Sequence, residues 1–133
     1  AAHSLEALQT AGYDVVTLDS QVDRSTIRAR LHAEAERQRA SKNVGSGDVS
    51  NCAGGVCIQG NFDVKLLHRG TTGAPPVHTS DIHTATRVML RALGPQKLIA
   101  NLGEGLTGAE DPDLVKAFVD AVHSVSEELI ASE

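Results

Sequence analysis

The side chains that could do chemistry in this sequence are few, and most of them stand alone. Cys52 and Cys57 are the only cysteines, with four residues between them. A zinc site draws on about four ligands, commonly in pairs with two to four residues inside each pair, and no second pair follows here. A free thiol is the reading preferred over a metal site or a disulfide. The six histidines, His3, His32, His68, His78, His83 and His123, contain no pair at the i, i+4 spacing of a helical metal site and read as surface residues. Gly103-Glu-Gly-Leu-Thr-Gly108 fits the pattern G-x-G-x-x-G and follows an apolar stretch, so a dinucleotide site has to be weighed. Such a motif opens its helix directly, whereas Asp111-Pro112 sets the helix start several residues later. Permissive backbone is the preferred role, and no cofactor and no metal are expected. Asp19 is either a pocket carboxylate or a strand-ending residue that bonds to backbone nitrogens in a turn. No Ser-His-Asp, Cys-His or paired-carboxylate constellation stands out, and no catalytic residue is assigned.

The elements that must position these residues alternate along the chain. A short amphipathic helix over Ser4 to Thr10 is stopped at Gly12, and Val15 to Leu18 reads as a strand. Asp23 or Ser25 caps a second helix through Ile27 and Leu31 into the charged stretch Glu34 to Arg39, which reads as a solvated face. Residues 41–55 have loop composition and are long for a connection, hence flexible or held by a partner. Val56 to Gln59 forms a second apolar strand closed by Gly60, and Asn61 caps a brief helix with Val64, Leu66 and Leu67. Thr79 or Ser80 caps a helix carrying Ile82, Ala85, Met89 and Leu93, which Gly94-Pro95 ends. A third strand lies around Leu98 to Ala100. Asp111 and Pro112 open the last helix, with Val115, Phe118, Val119, Val122 and Leu129 as its apolar stripe. Short apolar strands alternating with helices mean α/β class and a parallel sheet. Three such units fit either a small doubly wound domain or an arc of an eight-stranded barrel.

The 133 residues, 41% hydrophobic and 22% charged, suit one soluble domain. A formal charge of -5 supplies no basic surface for nucleic acid, and Tyr13, Phe62 and Phe118 are too few for a base-stacking platform. No apolar run approaches the roughly 20 residues of a membrane span, and the first residues lack signal-peptide features. The first residue is Ala1, which leaves processing, trimming or a longer parent chain open.

At the turns that follow the strands the residues become specific. Ala11-Gly-Tyr-Asp-Val-Val-Thr-Leu-Asp19, Ile58-Gln-Gly-Asn-Phe-Asp63, Met89-Leu-Arg-Ala-Leu-Gly-Pro95, Ile99-Ala-Asn-Leu-Gly-Glu-Gly105 and Phe118-Val-Asp-Ala-Val-His123 occur in order. Together they resemble the C-terminal part of the uroporphyrinogen decarboxylase family, cofactor-independent barrel enzymes of tetrapyrrole synthesis. The resemblance spans most of the chain except an insertion at about 32–55. It implies a partial (β/α)8 barrel of about three parallel strands with crossover helices. It also implies vestigial substrate-pocket positions at the barrel mouth: Asp19, Gln59, Gly60, Asn61, Asn101, Gly103, Glu104 and Gly105.

Two departures from the family bear on chemistry. The arginines and aspartate that hold and protonate the substrate belong to the family's N-terminal part, and no segment here matches them. The family's Asn-Leu-Gly-His-Gly loop reads Asn101-Leu-Gly-Glu-Gly105, so Glu104 stands where a histidine meets the substrate. Uroporphyrinogen carries eight carboxylates, and a glutamate facing one of them is a like-charge contact. The Leu-Asp-Trp-Thr turn is likewise changed to Leu18-Asp19-Ser20-Gln21. The expectation is a truncated, non-catalytic relative serving as a structural or interaction subunit, in plastid or cytoplasm. The alternatives are the C-terminal part of a split decarboxylase and a tetrapyrrole binder without turnover.

An arc also leaves one sheet face and two edges bare. Val16, Leu18, Ile58, Ile99 or their alternating neighbours would meet water, and a few hundred Å² of such surface costs several kcal/mol at about 25 cal/mol per Å². Another copy, a complementary chain or a larger assembly is expected to cover it.

Overall fold

The computed structural model describes residues 5–41, 56–70 and 75–132. The elements run α1 (Leu5–Thr10), β1 (Val15–Thr17), α2 (Arg24–Ser41), β2 (Cys57–Gln59), a 3-10 turn (Val64–Leu67), α3 (Thr79–Leu93), β3 (Leu98–Ile99) and α4 (Pro112–Ala131). The sheet order is β1-β2-β3 and both pairs are parallel, with Val16 opposite Ile58 and Ile58 opposite Leu98. Sequential order with each helix packed on the next, α1 on α2, α2 on α3 and α3 on α4, places all four helices in one layer. That arrangement is singly wound over these three units, which is consistent with an arc of a barrel.

Pleating decides what the helix layer covers. Val16, Leu18 and Ile58 are sealed beneath the helices with Ile27, Leu31, Ile82, Met89, Leu93, Leu114 and Phe118. The residues between them, Val15, Thr17, Cys57, Gln59 and Ile99, occupy the other face. The expected bare wall is therefore the alternate set, and it is mixed in character. Among the described residues Ile99, at 46% exposure, is its one exposed large apolar side chain. Val16, Leu18 and Ile58 contribute nothing to that wall because their parity turns them to the helices.

Several local expectations shift by a residue or a role. Helix α2 continues to Ser41, so residues 32–41 of the stretch read as a flexible insertion are helical, while 42–55 lie outside the described residues. Asp63 caps the 3-10 turn by accepting from the Lys65 N–H, which leaves Asn61 free for another task. His78 is the cap position of α3, where its own N–H donates to Asp81 Oδ2 at 2.8 Å. Asp111 caps α4 as read from the sequence, accepting from the Asp113 N–H at 2.8 Å. The fully buried stripe of α4 is Leu114, Phe118, Ala121 and Val125; of the expected set Phe118 is buried, Val115, Val122 and Leu129 are partly buried against the core, and Val119 is 45% exposed. Phe118 stacks at a tilt on Phe62 with centroids 4.6 Å apart, which ties α4 to the turn after β2.

Candidate functional site: the rim of turns after the strands

The three strands end at one edge of the sheet, and their turns continue the ladder beyond it. The Leu18 N–H donates to Gln59 O at 2.8 Å, Gly60 to Ile99 O at 3.1 Å, Phe62 to Asn101 O at 3.0 Å and Gly103 to Phe62 O at 2.8 Å. A parallel bridge between Phe62 and Leu102 extends the pairing of β2 and β3 into these turns. Every candidate position named from the sequence therefore falls in or beside one continuous rim.

Asn61 is the hub of that rim. Its side chain is fully buried and its Nδ2 donates to Asp19 O at 2.9 Å and to Val22 O at 3.2 Å. Its Oδ1 accepts from Arg24 Nε at 2.7 Å, and Arg24 Nη2 also donates to the Asn61 carbonyl at 3.0 Å. Burial pulls the Arg24 guanidinium below its ordinary value, against the opposing pull of Asp63. Arg24 was not legible as a rim residue. The available signal was a cation as the first residue of a helix with no acidic residue in its first turn, where the dipole disfavours positive charge.

Two glycines let the turns approach. At Gly60, φ is +127° and an added Cβ would lie 2.6 Å from Leu18 O; at Gly103 it would lie 2.4 Å from the Ser20 nitrogen. Gly105 faces open space. The peptide bond between Gly60 and Asn61 is cis.

The polar side chains of the rim largely serve one another. Asp19 Oδ1 accepts from the Gln21 N–H at 2.9 Å, which is the turn-closing role. Asn101 Oδ1 accepts from the Leu102 N–H at 2.8 Å. Glu104 turns onto the neighbouring loop, where its Oε1 accepts from the Ser20 hydroxyl and from the Ser20 N–H at 3.3 Å. Residues 20 and 104, which lie in two of the changed family words, thus meet each other. Gln59 lies on the open face beside Thr17 and Ile99. The arrangement offers hydrogen bonding between neighbouring turns, the Ser20 hydroxyl on the Glu104 carboxylate among them.

The end of the G-x-G-x-x-G stretch is held by a carboxylate of the protein's own. The Glu110 carboxylate accepts from the Thr107 N–H at 3.0 Å, the Thr107 hydroxyl at 3.0 Å and the Gly108 N–H at 2.9 Å. These bonds, the Thr107 N–H first, hold Glu110 down at about 2 from the usual 4.5. Two backbone donors at the end of the stretch, those of Thr107 and Gly108, are thus taken by the protein's own anion. Cys57 is a half-buried free thiol, and among the described residues no group of three or more His, Cys, Asp or Glu side chains is placed to hold a metal. Cys52 and His3 lie outside the described residues.

A one-layer run of parallel strand–helix units with its polar turns gathered at the strand ends defines the class: an α/β fold of three parallel strands with helices, consistent with a fragment of a barrel. The family model described as uroporphyrinogen decarboxylase (URO-D) matches residues 1–125. The chain belongs to the uroporphyrinogen decarboxylase family. It is 37% identical over 123 residues to the uroporphyrinogen decarboxylase of Ovis aries, a stretch that is 92% of this chain and 26% of that protein. It is 35% identical to the Homo sapiens protein with the same shares, and 32% identical to that of Salinibacter ruber over 93% of this chain and 27% of that protein. The chain thus spans about a quarter of the length of these curated relatives. No helix among the described residues is long and apolar enough to cross a membrane.

Proposed function

We propose that this chain is a non-catalytic member of its family that works as a structural or interaction subunit of a larger assembly, its three-strand arc completed by another polypeptide. The observation that carries the reading is the sheet itself, in which, among the described residues, β1 and β3 are the edge strands and Thr17 and Ile99 are exposed on one face with Gln59 half-buried between them. Two features support it further. Glu104 places a carboxylate where a polycarboxylic substrate would have to approach, and the Ser20 contact holds it there. The rim's remaining polar atoms satisfy turns, which is what a scaffold retains once chemistry is gone. Asp19, Gln59, Gly60, Asn61, Asn101, Gly103, Glu104 and Gly105 are on this reading vestigial pocket positions, and the subunit resides in plastid or cytoplasm.

The test is to isolate the chain with its natural partners, add uroporphyrinogen and assay for coproporphyrinogen and carbon dioxide. The structural reading expects no product. Product would establish the second reading, a split decarboxylase, which is favoured by the exposed Asn101 and half-buried Asp19 persisting at the rim. Porphyrin titration followed by fluorescence separates both from a tetrapyrrole binder, which would show saturable quenching without turnover.

A further inference from the structure

Arg24 is a half-buried cation whose bonds run only to neutral oxygens. Nε donates to Asn61 Oδ1 at 2.7 Å and Nη2 to the Asn61 carbonyl at 3.0 Å. Among the described residues no carboxylate stands within ion-pair distance of it. Asp63 pulls on the guanidinium from farther off, while one of its oxygens accepts from the Lys65 N–H at 3.0 Å. Asp23, the preceding residue, has both carboxylate oxygens on Ser25. The helix itself deepens the deficit. Arg24 opens α2, where the dipole favours negative charge, and no acidic residue lies in that first turn.

The other arginines show how this chain compensates a guanidinium elsewhere. Arg30, Arg37, Arg39, Arg69 and Arg87 each meet an Asp or Glu carboxylate. Arg28, also half-buried, donates to the carbonyls of Leu93, Gln96 and Lys97, the first of which ends α3 at the negative pole of that helix. Among the described residues Arg24 is the half-buried arginine with neither kind of partner. Holding Asn61 requires donors and no charge, so the cation is the part of Arg24 that the rim does not use.

The donors left over suit one kind of ligand. Asn61 occupies Nε and Nη2, and Nη1 has no acceptor among the described residues. Paired N–H groups on a planar guanidinium match two oxygens of a carboxylate or phosphate. Asn61 is itself fixed by donating to Asp19 O at 2.9 Å and Val22 O at 3.2 Å, so the fork is oriented before any ligand arrives.

We propose that Arg24, steadied by Asn61, forms a binding site for a small oxyanion, a phosphate or a carboxylate. The inference stands apart from the subunit reading, because it requires neither a partner chain nor turnover. The full chain, labelled with nitrogen-15, is titrated at neutral pH with sodium phosphate and, in a second arm, with sodium acetate. Sodium chloride keeps the ionic strength constant, and the Arg24 Nε–H resonance is followed. A saturable shift is expected, with a Kd of roughly 1–10 mM for a single charge-assisted fork. Saturation by phosphate alone identifies a phosphate ligand, and saturation by both anions shows that a carboxylate suffices. In variants the Asn61 side-chain amide is the reporter. Arg24→Lys keeps the charge but loses the fork and weakens binding at least fivefold, and Arg24→Gln abolishes it. Arg37→Gln, farther along α2, leaves binding unchanged. A response that stays linear in anion concentration, or that is equal in Arg24→Gln, overturns the site. If Arg24→Gln does not fold, the natural chain decides alone: no saturation at the Arg24 Nε–H with either anion overturns the proposal.

Discussion

Replacing Gly103 and Gly105 by alanine, one at a time, tests how the rim is held. The residues share a loop two positions apart, yet their surroundings differ. A Cβ on Gly103 would stand 2.4 Å from the Ser20 nitrogen and 2.8 Å from its Cα, whereas one on Gly105 meets nothing within 4 Å. The Ser20 backbone cannot swing aside like a side-chain tip, so Gly103→Ala must push the turn after β1 away from that after β3. Overpacking of this kind costs about 1–3 kcal/mol, equivalent to a fall of roughly 4–10 °C in Tm for a domain of this size. Gly105→Ala restricts only the unfolded chain and should be neutral or stabilising by up to about 1 kcal/mol. Urea unfolding followed by far-ultraviolet circular dichroism reads both. Equal stabilities for the two variants, or a larger loss at Gly105, would refute the close approach of these turns.

Other perturbations probe the parts that this contact joins. Asn61→Ala removes two donated bonds and strands the Arg24 guanidinium, and should lower unfolding free energy by about 2–4 kcal/mol in the same urea assay. Phe118→Ala opens a cavity against Phe62 at a cost of about 3–5 kcal/mol, read as an earlier thermal transition. Glu110 contributes to pH dependence with a definite sign. Its folded value of about 2 lies below the usual 4.5, so the unfolded chain binds the extra proton first. Its stabilisation is complete above about pH 4.5 and is lost as the pH falls toward 2. Unfolding curves across that window should fall more steeply for the natural chain than for Glu110→Gln.

Legibility followed the range of the interaction that sets each feature. The final helix and its Asp111-Pro112 start were readable because capping and φ restriction act within a turn. The parallel order of strands followed from alternation alone. The facing of individual residues did not. Val16 and Ile58 could be named as strand residues, yet which parity met the helices is decided by the packed layer, and the exposed wall came out more polar than apolar counting suggested. Asn61 looked like a helix cap since Asn caps helices, but Asp63 took that task two residues later and Asn61 bonds across 42 positions to Asp19. The Arg24 contact spans 37 positions and has no local trace beyond its unfavourable place at a helix start. Glu104 was recognised as a departure from the family pattern; that its partner would be Ser20, 84 positions away, needed coordinates.

The stitching of the three turns also affects how fast and how tightly another molecule could join them. Because Asn61 and the continued backbone ladder fix this lip before any encounter, association has little loop entropy left to remove there. Recognition at the lip should then behave as rigid-body docking, with affinity differences expressed mainly in dissociation rates.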